Sequence, residues 1–542
     1  MTPSNIAFAL EKQALEIPNT PAIFVRAGGG CKQISFLELH EESDRLASGL
    51  SKLGITRGTT VLLMVPSGIE FIALTFALFK LNAIPVLIDP GIGKKNLLNA
   101  IEEIEPLAMI GIPRAHAARI FFPKPFKKTR IMITVGRRWF WGGKTLEQIR
   151  SLGSSGFDAA PTLPDDPAAI LFTSGSTGPA KGVLYTHGMF SRQVELIQNL
   201  YGIKQGDIEL PTFPLFALFG VGMGMTCVIP DMDATRPAQV DPRKIIQAIH
   251  DFKVTSSFGS PALWNTVSLY CQEQGIRLPT IKRILMAGAP VSGSLLKRFE
   301  SILGKDAEIH TPYGATEALP IASITRTEIL RETWSESEKG KGVCVGRAVP
   351  GATIKVIKIT DDPIAAWDDG LELHQGEIGE IVVQGAWITR KYYRREKATG
   401  LAKIEQGKTF WHRMGDVGYF DPQNRLWFCG RKNHRVTTPC GTLYTIPCEA
   451  IFNKHPDVKR SALVGIGPKC EQRPVIVIET ELSASSKNKE TLCRELLELG
   501  VAANLQEVRH ILFHGQFPVD ARHNAKIFRE QLAEWAEKKL QI

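Results

Sequence analysis

Thr-Ser-Gly-Ser-Thr-Gly-Pro-Ala-Lys-Gly, residues 173–182, follows the apolar run Ala168–Phe172 and precedes Val183–Tyr185. Glycines let the backbone approach an anion closely, hydroxyl groups can donate to phosphate oxygens, and Lys181 adds a positive charge. The Walker A pattern is excluded because Ala180 stands where that pattern requires a glycine. The flanking apolar runs are short, so they predict two strands joined by a phosphate-binding loop, with an ordinary Gly/Ser turn as the alternative.

The composition is that of a globular protein with more than one core. The chain has 542 residues, 44% of them hydrophobic and 22% charged, which predicts two or three subdomains. Nine cysteines without C-x-x-C spacing argue against a disulfide scaffold and against a zinc site. The net charge of +10 favours an acidic partner: a nucleotide, a fatty acid or an anionic membrane surface. Nucleic acid is not expected, because the basic residues are mostly dispersed and accompany no nucleic-acid motif.

Targeting and membrane signals are weak. Residues 1–20 have no basic region followed by an apolar core, and the apolar stretch Phe71–Phe79 ends too early to span a bilayer. A cytoplasmic protein is therefore expected. The segment Phe121–Lys144 mixes seven Lys and Arg residues with aromatic residues, which suits peripheral contact with an anionic membrane. The more common alternative for such a segment is a solvated connection with some buried aromatic residues.

Hydrophobic periodicity predicts an α/β fold. Thr60–Val65, Ile69–Leu81 and Ile84–Ile88 form the strand–helix–strand pattern of a parallel sheet covered by helices. Short strands such as Ile354–Ile359 and Glu380–Gln384 predict a small β subdomain further along the chain.

The last part of the chain is predicted to be a small α/β domain. It contains strands and two amphipathic helices, Lys489–Leu499 and Ala525–Leu540. The natural boundary lies near Arg431, which divides the chain into residues 1–430 and 431–542.

Separated motifs share one resemblance. Together with residues 173–182, the segments Tyr313–Glu317, Met414–Asp416 and Gly430–Arg431 and the residue Lys526 resemble, in this order, the adenylate-forming superfamily. That superfamily includes acyl-CoA synthetases, luciferases and peptide-synthetase adenylation domains. The resemblance implies a large N-terminal core, residues 1–430, that binds ATP and an acyl substrate. It also implies a mobile C-terminal lid, residues 431–542, that carries a catalytic lysine.

The resemblance assigns a role to each matching residue. The implied phosphate-binding residues are Thr173, Ser174, Gly175, Ser176, Thr177, Gly178 and Lys181, and the implied nucleotide-binding residues are Gly288, Ala289, Pro290, Tyr313, Gly314, Thr316, Asp416 and Arg431. Tyr313 would pack on adenine, while Asp416 would accept hydrogen bonds from the ribose hydroxyls. Glu317 would bind Mg²⁺, aided by Thr173, and Thr316 would contact the α-phosphate. The implied catalytic residues are Lys526, Thr316 and Glu317.

Four stretches resemble one branch more narrowly: Leu87–Gly93, Ile110–Arg119, Met232–Pro242 and Phe517–Lys526. They are similar to the β-lactone synthetases of bacterial long-chain olefin biosynthesis. The resemblance implies that ATP adenylates a long-chain 2-alkyl-3-hydroxy acid, whose own hydroxyl then closes a β-lactone and expels AMP. It also implies possible assembly with other olefin-biosynthesis enzymes.

Two other functions stay open from the sequence. One is a long-chain acyl-CoA synthetase, although His434 and Ala217 depart from the pattern usual in enzymes that form a CoA thioester, as Ala525 and Met414 depart elsewhere. The other is a catalytically silent scaffold that binds acyl groups or nucleotide.

The sequence offers candidates for the remaining roles in lactone formation. His116 and His523 are candidate bases for the β-hydroxyl, although a lone histidine is more often structural. The apolar segments Phe71–Leu81 and Phe213–Val228 could line an alkyl channel or simply fill the core.

Overall fold

The computed structural model describes residues 4–27, 30–173, 179–480, 489–519 and 527–540. Its first part alternates strands and helices, as the periodicity predicts. The elements are α1 (Phe8–Glu16), β1 (Pro21–Ala27), β2 (Gly30–Ser35), α2 (Phe36–Lys52), β3 (Thr60–Met64), α3 (Ile69–Lys80), β4 (Ile84–Leu87), α4 (Lys94–Ile104), β5 (Ala108–Gly111), α5 (Pro113–Phe121), β6 (Ile131–Thr134), β7 (Lys144–Thr145), α6 (Leu146–Leu152), β8 (Pro167–Phe172) and β9 (Gly182–Thr186).

The middle of the chain contains more αβ units and then mainly strands. These are α7 (His187–Leu200), β10 (Ile208–Pro211), α8 (Pro214–Gly222), β11 (Thr226–Ile229), α9 (Pro242–Phe252), β12 (Ser256–Gly259), α10 (Pro261–Gln274), β13 (Arg283–Met286), α11 (Gly293–Ile302), β14 (Glu308–Ala315), β15 (Ala318–Thr325), α12 (Arg326–Glu328), α13 (Trp334–Glu336), β16 (Val343–Ala348), β17 (Thr353–Ile357), β18 (Gly379–Gln384), α14 (Glu396–Ala402), β19 (Lys403–Gln406), β20 (Thr409–Phe420) and β21 (Leu426–Arg431).

The last part forms a small α/β domain. Its elements are β22 (Val436–Thr438), β23 (Gly441–Leu443), α15 (Thr445–Phe452), β24 (Val458–Ile466), β25 (Arg473–Thr480), α16 (Lys489–Ala502), β26 (His510–Phe513) and α17 (Arg529–Leu540). The predicted last helix, Ala525–Leu540, starts later than expected, because Ile527 pairs with Val519 in a β-bridge before the helix begins. The domain has its own three-stranded sheet, in the order β24-β25-β26.

Two large sheets carry the rest of the fold. Among the described residues, one sheet runs β7-β6-β5-β3-β4-β8-β9. All its neighbours are parallel except β8 and β9, which form an antiparallel hairpin and confirm the two strands expected around the phosphate-loop segment. The other sheet runs β17-β18-β20-β21-β16-β15-β14-β13-β12-β10-β11-β1-β2, with β19 paired to β20. The predicted small β subdomain is thus present as strands, and β16 joins it to the larger sheet.

The apolar helix α3 lies inside the protein. Every residue from Phe71 to Lys80 is buried, and the Lys80 ammonium contacts the Asp44 carboxylate on α2. A charged group is tolerated in a protein interior when it forms an ion pair such as this one. A core position explains why α3 is apolar around its whole circumference. No helix in the described residues is both long enough and apolar enough to cross a bilayer.

Strand ends from both large sheets meet beside one cavity. β12, β13 and β14 are parallel, so the segments that follow them lie on one edge of the sheet, where open α/β sheets usually bind ligands. Helix α8 and the β8–β9 hairpin line the same space. The short segment around Tyr392 is held beside β9, because Tyr393 N donates to the Gly182 carbonyl at 2.8 Å.

Candidate active site

The two ends of the predicted phosphate loop close on each other. Thr173 N donates to the Lys181 carbonyl at 3.1 Å, and Lys181 N donates to Thr173 Oγ1 at 3.2 Å. Thr173 is therefore a structural clamp at the base of the loop. Ser174, Gly175, Ser176, Thr177 and Gly178 lie outside the described residues, so their predicted phosphate contacts stay predictions.

Tyr392 contacts both Lys181 and Glu317. The Lys181 ammonium lies over the ring of Tyr392, 4.8 Å from its centroid, and the Tyr392 hydroxyl donates to Glu317 Oε1 at 2.7 Å. Burial lowers the pKa of Lys181, and the negative charge of Glu317 partly opposes that shift. Burial and Glu317 together raise the pKa of Tyr392, so its hydroxyl stays protonated and donates. The cluster places one positive and one negative group on the same cavity wall.

Thr316 and Glu317 form the tight connection between β14 and β15. Gly314, two positions before Thr316, must be glycine, since a Cβ there would stand 2.3 Å from the Ala318 carbonyl oxygen. The Tyr185 hydroxyl on β9 donates to the Thr316 carbonyl, which joins the phosphate-loop hairpin to this connection. Glu317 is buried and still contributes to the cavity wall.

Asp416 is held by the residues that the sequence groups with it. It lies opposite Arg431 in the antiparallel pair β20–β21, so the two side chains are cross-strand neighbours. Arg431 Nη1 lies 2.9 Å from Asp416 Oδ1, and the Tyr313 hydroxyl donates to Asp416 Oδ2 at 2.6 Å. Asp416 raises the pKa of Arg431. A carboxylate has about four acceptor positions and can therefore bind more than one donor at a time.

The segment Gly288–Pro290 directly follows β13. Gly288 has φ +99°, a backbone conformation that favours glycine, and it lines the cavity. Ala289 and Pro290 adjoin it without belonging to the cavity wall. Tyr313 and Asp416 also do not belong to the cavity wall. Asp416 contacts Arg431, which does belong to it.

One cavity of about 1290 Å³ is lined by seven of the eleven predicted site residues that the structure describes. Its polar end is defined here by Thr173, Lys181, Glu317, Tyr392 and Arg431. Its apolar end is defined by Phe71, Phe79, Phe190, Leu215, Phe219 and Gly222. Both apolar segments that the sequence proposed as a channel, Phe71–Leu81 and Phe213–Val228, thus contribute to the wall.

The apolar end is built from rings that touch each other. Phe190 lies 5.9 Å from Phe79 and 6.0 Å from Phe219, measured between ring centroids. Tyr185 stacks on Phe190 at 4.7 Å, while its hydroxyl bonds the Thr316 carbonyl. Tyr185 therefore links the two ends of the cavity.

One candidate base, His116, is not part of this cavity wall. His116 is completely buried, stacks on Trp141 and has Nε2 3.0 Å from the Ile133 carbonyl, so it is a structural histidine and not the base considered above. Burial also lowers its pKa. The other candidate base, His523, and the predicted catalytic Lys526 lie outside the described residues.

Three functional neighbours escaped sequence reasoning: Tyr392, Lys403 and Tyr185. Lys403 donates to the Thr389 carbonyl, and Thr389 N donates to the Glu317 carbonyl at 3.0 Å, so this lysine supports the Glu317 backbone. Burial lowers the pKa of Lys403 to about 7. The pair Tyr392–Tyr393 among basic residues is the feature of the sequence that could have drawn attention to Tyr392. It does not indicate a contact with Glu317, which lies 75 positions earlier.

The site fits a magnesium ion that is shared with phosphate oxygens. Within the part of the chain that the structure describes, no group of three or more His, Cys, Asp or Glu residues could hold a metal alone. Mg²⁺ usually takes only one or two carboxylates and completes its shell with water and substrate phosphates. The single carboxylate of Glu317, facing the cavity near Lys181, matches that requirement.

Known proteins share this chain's sequence and fold. It is 45% identical to the olefin beta-lactone synthetase of Xanthomonas campestris, covering 98% of this chain and 97% of that one. It is also 45% identical to the protein of the same name from Stenotrophomonas maltophilia, with 99% of each covered.

A solved structure has the same architecture. O-succinylbenzoate coenzyme A synthetase from Bacillus subtilis, in complex with ATP and magnesium, matches with a TM-score of 0.75 at 21% identity, covering 97% of this chain and 98% of that chain. Residues 10–393 match the family described as AMP-binding enzyme. The chain therefore belongs to the AMP-binding enzyme family, within the adenylate-forming superfamily.

Proposed function

We propose that this protein is an ATP-dependent β-lactone synthetase acting on long-chain 2-alkyl-3-hydroxy acids. The observation that carries the proposal is the single cavity whose polar end suits a nucleotide triphosphate and whose apolar end suits hydrocarbon. The two relatives at 45% identity, both named olefin beta-lactone synthetases, support the product assignment.

The first half-reaction uses the polar end. A carboxylate oxygen of the acid attacks the α-phosphorus of ATP, and pyrophosphate leaves with the bonding electrons. Lys181 supplies positive charge for the phosphates, Asp416 accepts hydrogen bonds from ribose hydroxyls, and Lys526 would meet the charge that develops at the α-phosphate. Glu317 would hold Mg²⁺, which neutralises phosphate charge when bound.

The second half-reaction depends on how the substrate is oriented more than on additional catalytic groups. The substrate's β-hydroxyl oxygen attacks the acyl carbon, the carbon–oxygen bond to phosphate breaks, and AMP leaves. The hydroxyl proton is lost as the ring closes. Because the nucleophile belongs to the same molecule, an apolar end that holds the alkyl chains in one orientation replaces the capture of a second substrate.

We also place the functional division near Arg431, with residues 431–542 as a lid. Contacts across this point include ion pairs: Lys432 Nζ lies 3.0 Å from Glu380 Oε1, and Arg435 Nη2 lies 2.9 Å from Asp361 Oδ2. Lys469 contacts the same Asp361 carboxylate. The Asp361 side chain is 41% exposed, so water can replace its two partners when the lid moves.

The decisive experiment incubates the protein with ATP, Mg²⁺ and a synthetic 2-alkyl-3-hydroxy acid, with and without CoA. The expected products are AMP, pyrophosphate and a β-lactone, whether or not CoA is added. The matched control substrate is the same acid without its 3-hydroxyl, which should support ATP–pyrophosphate exchange but give no lactone. The products are identified by mass spectrometry and infrared absorption of the strained carbonyl.

Two results would replace the proposal. A CoA thioester without lactone would establish a long-chain acyl-CoA synthetase, the function of a more distant relative from Thermus thermophilus that is 24% identical. Nucleotide binding without pyrophosphate release from any hydroxy acid would establish a silent scaffold.

A further inference from the structure

Three large aromatic side chains are exposed to solvent, one at the end of α5 and two on the loop between β6 and β7. Phe121, at the end of α5, is 77% exposed, and the loop residues Trp139 and Phe140 are 58% and 82% exposed. We call these three residues the aromatic patch. Proteins seldom leave several large rings exposed together unless the surface has a partner.

The aromatic patch is mounted on buried structure. Trp141 is buried, its ring stacks on His116 of α5 at 5.6 Å, and its Nε1 donates to Thr134 Oγ1 at 3.0 Å. Trp139 and Phe140 contact this ring at 5.4 and 5.7 Å between centroids. The exposed rings on the loop are thus fastened to the same helix that ends at Phe121.

The surroundings of the patch are strongly basic. Residues 113–145 contain nine Lys and Arg residues and no Asp or Glu. Lys127, Arg137, Arg138 and Lys144 are exposed. Lys124 and Lys128 pair with Glu102 and Glu105 at the end of α4, so part of this charge is neutralised. Uncompensated Lys and Arg side chains are attracted to an anionic lipid surface.

The helix that carries Phe121 also forms a wall of the cavity. Arg114, Ala115 and Ala118 line the cavity, and Phe121 follows Ala118 by three positions, on the same face of the helix. The ring of Phe122, the residue after the helix, is covered by the Lys94 ammonium at 4.0 Å from the centroid. One face of α5 therefore runs from the cavity to the exposed Phe121.

We propose that the aromatic patch and its basic surroundings dock on an anionic lipid bilayer. The rings enter the interfacial layer, where amphipathic aromatic groups are favoured, and the Lys and Arg residues meet lipid phosphates. Single-stranded nucleic acid also pairs basic residues with aromatic rings. The bilayer is favoured because the patch continues the helix that lines a hydrocarbon-compatible cavity. That the bilayer delivers the long-chain acid along α5 rests on the proposed function, whereas the docking does not.

The test is sedimentation of the full-length protein with vesicles, in the absence of ATP and acid. Vesicles of phosphatidylcholine containing phosphatidylglycerol should bind it, and phosphatidylcholine vesicles should bind it much less. The triple variant Phe121→Ser, Trp139→Ser, Phe140→Ser should lose about tenfold or more of the partition coefficient, since the rings supply the apolar contact. Arg137→Gln with Arg138→Gln should lose several-fold, and added salt should weaken wild-type binding.

The matched control is Leu15→Ser with Val501→Ser, which removes exposed apolar side chains elsewhere, 78% and 57% exposed. It should bind vesicles like the wild type. Because all these side chains are exposed, thermal unfolding should stay unchanged and will show that each variant is folded.

Tryptophan fluorescence reports directly on the aromatic patch. Anionic vesicles should shift tryptophan emission of the wild type to shorter wavelength, and the shift should shrink in Trp139→Phe. Absence of wild-type binding to anionic vesicles, or equal binding by the triple variant, would overturn the proposal. So would loss of single-stranded DNA binding in the triple variant while vesicle binding is unchanged. Since no step uses ATP or the acid, failure of lactone synthesis leaves this result intact.

Discussion

The polar and apolar ends of the cavity are built in different ways. At the polar end the charged groups already have partners: Arg431 pairs with Asp416 behind it, and Glu317 accepts a hydrogen bond from Tyr392. At the apolar end the walls are phenylalanine rings in contact with one another, without hydrogen bonds that set their spacing. The difference indicates that the reaction depends on the fixed geometry of the polar groups. Recognition of the substrate's alkyl chain depends instead on the volume of the apolar end.

Changes at the polar end should therefore alter the rate with every acid, and changes at the apolar end should alter the choice of acid. Four substitutions test this distinction.

Lys526→Ala should have the largest effect. We expect ATP–pyrophosphate exchange to fall by about 100-fold to 1000-fold for acids of every length, because a charge aimed at the transition state is removed. ATP binding, measured by calorimetry, should stay nearly unchanged. Lys538→Ala, on the exposed last turn of α17, is the control. Unchanged exchange in Lys526→Ala would remove this residue from the active site.

Glu317→Gln should reduce exchange by about 100-fold at low magnesium and by less at high magnesium, since an amide is a weaker ligand for a hard cation. The Tyr392 hydroxyl can still donate to the amide oxygen, so the local fold should persist. The measurement is a magnesium titration of pyrophosphate release. The control Glu498→Gln removes an exposed carboxylate on α16. Coincident titration curves for wild type and Glu317→Gln would argue against a metal-binding role.

Gly222→Val should change the preferred acid without changing use of ATP. A Cβ at Gly222 would meet Ala9 Cβ at 3.6 Å and Val194 Cγ2 at 3.9 Å, which are ordinary contacts, so the added carbons occupy cavity space. Each methylene that is denied burial costs about 0.8 kcal/mol, or roughly fourfold. We expect kcat/KM for the longest acids to fall about tenfold, with KM for ATP unchanged.

The control for that experiment is Gly400→Val, which adds the same carbons on α14, where a Cβ meets nothing within 4 Å. An equal fall for short and long acids in Gly222→Val would show that the two ends are not independent.

Substitution of His187, a residue that supports the apolar end, should have the smallest effect, and the effect should be on the pH dependence of stability. Its Nδ1 accepts from Ile6 N at 3.2 Å and its Nε2 lies 3.2 Å from Asn82 Oδ1, an arrangement that suits the neutral ring. Burial lowers its pKa from 6.5 to about 4. Between those values the unfolded chain binds a proton that the folded chain does not, so stability falls as pH drops from 6.5 towards 4.

The size of this loss is at most about 3 kcal/mol. Urea unfolding of wild type and His187→Gln across that pH range should show a shallower dependence in the variant. His374→Gln, at an exposed histidine, is the control. Parallel curves for wild type and His187→Gln would mean that His187 does not titrate in this window.

Local patterns predicted much of the fold. The βαβ unit was expected at Thr60–Val65, Ile69–Leu81 and Ile84–Ile88, and its elements lie within one residue of those bounds. The hairpin around the phosphate-loop segment was also expected, since short apolar runs and glycine-rich turns are properties of neighbouring residues. These signals operate over a few positions and survive in any tertiary context.

Pairings between distant residues were not predictable in the same way. Tyr392 touches Lys181 and Glu317 because the segment around Tyr392 lies against β9, a contact that no local pattern encodes. His116 looked like a possible base, yet it is enclosed by Trp141 and the Ile133 carbonyl. Composition describes a side chain's chemistry, but the neighbouring elements decide whether it meets a cavity or another ring.

The amino-acid sequence is sufficient to predict the chemical groups of the site and their order along the chain: hydroxyls, glycines and Lys181, then Glu317, Asp416 and Arg431. That one side of the apolar helices α3 and α8 borders a cavity next to those groups follows from the folded structure. The reason is that the apolar composition of a helix predicts that it avoids water, while packing with other elements decides whether each side closes into a core or leaves room for a hydrocarbon chain.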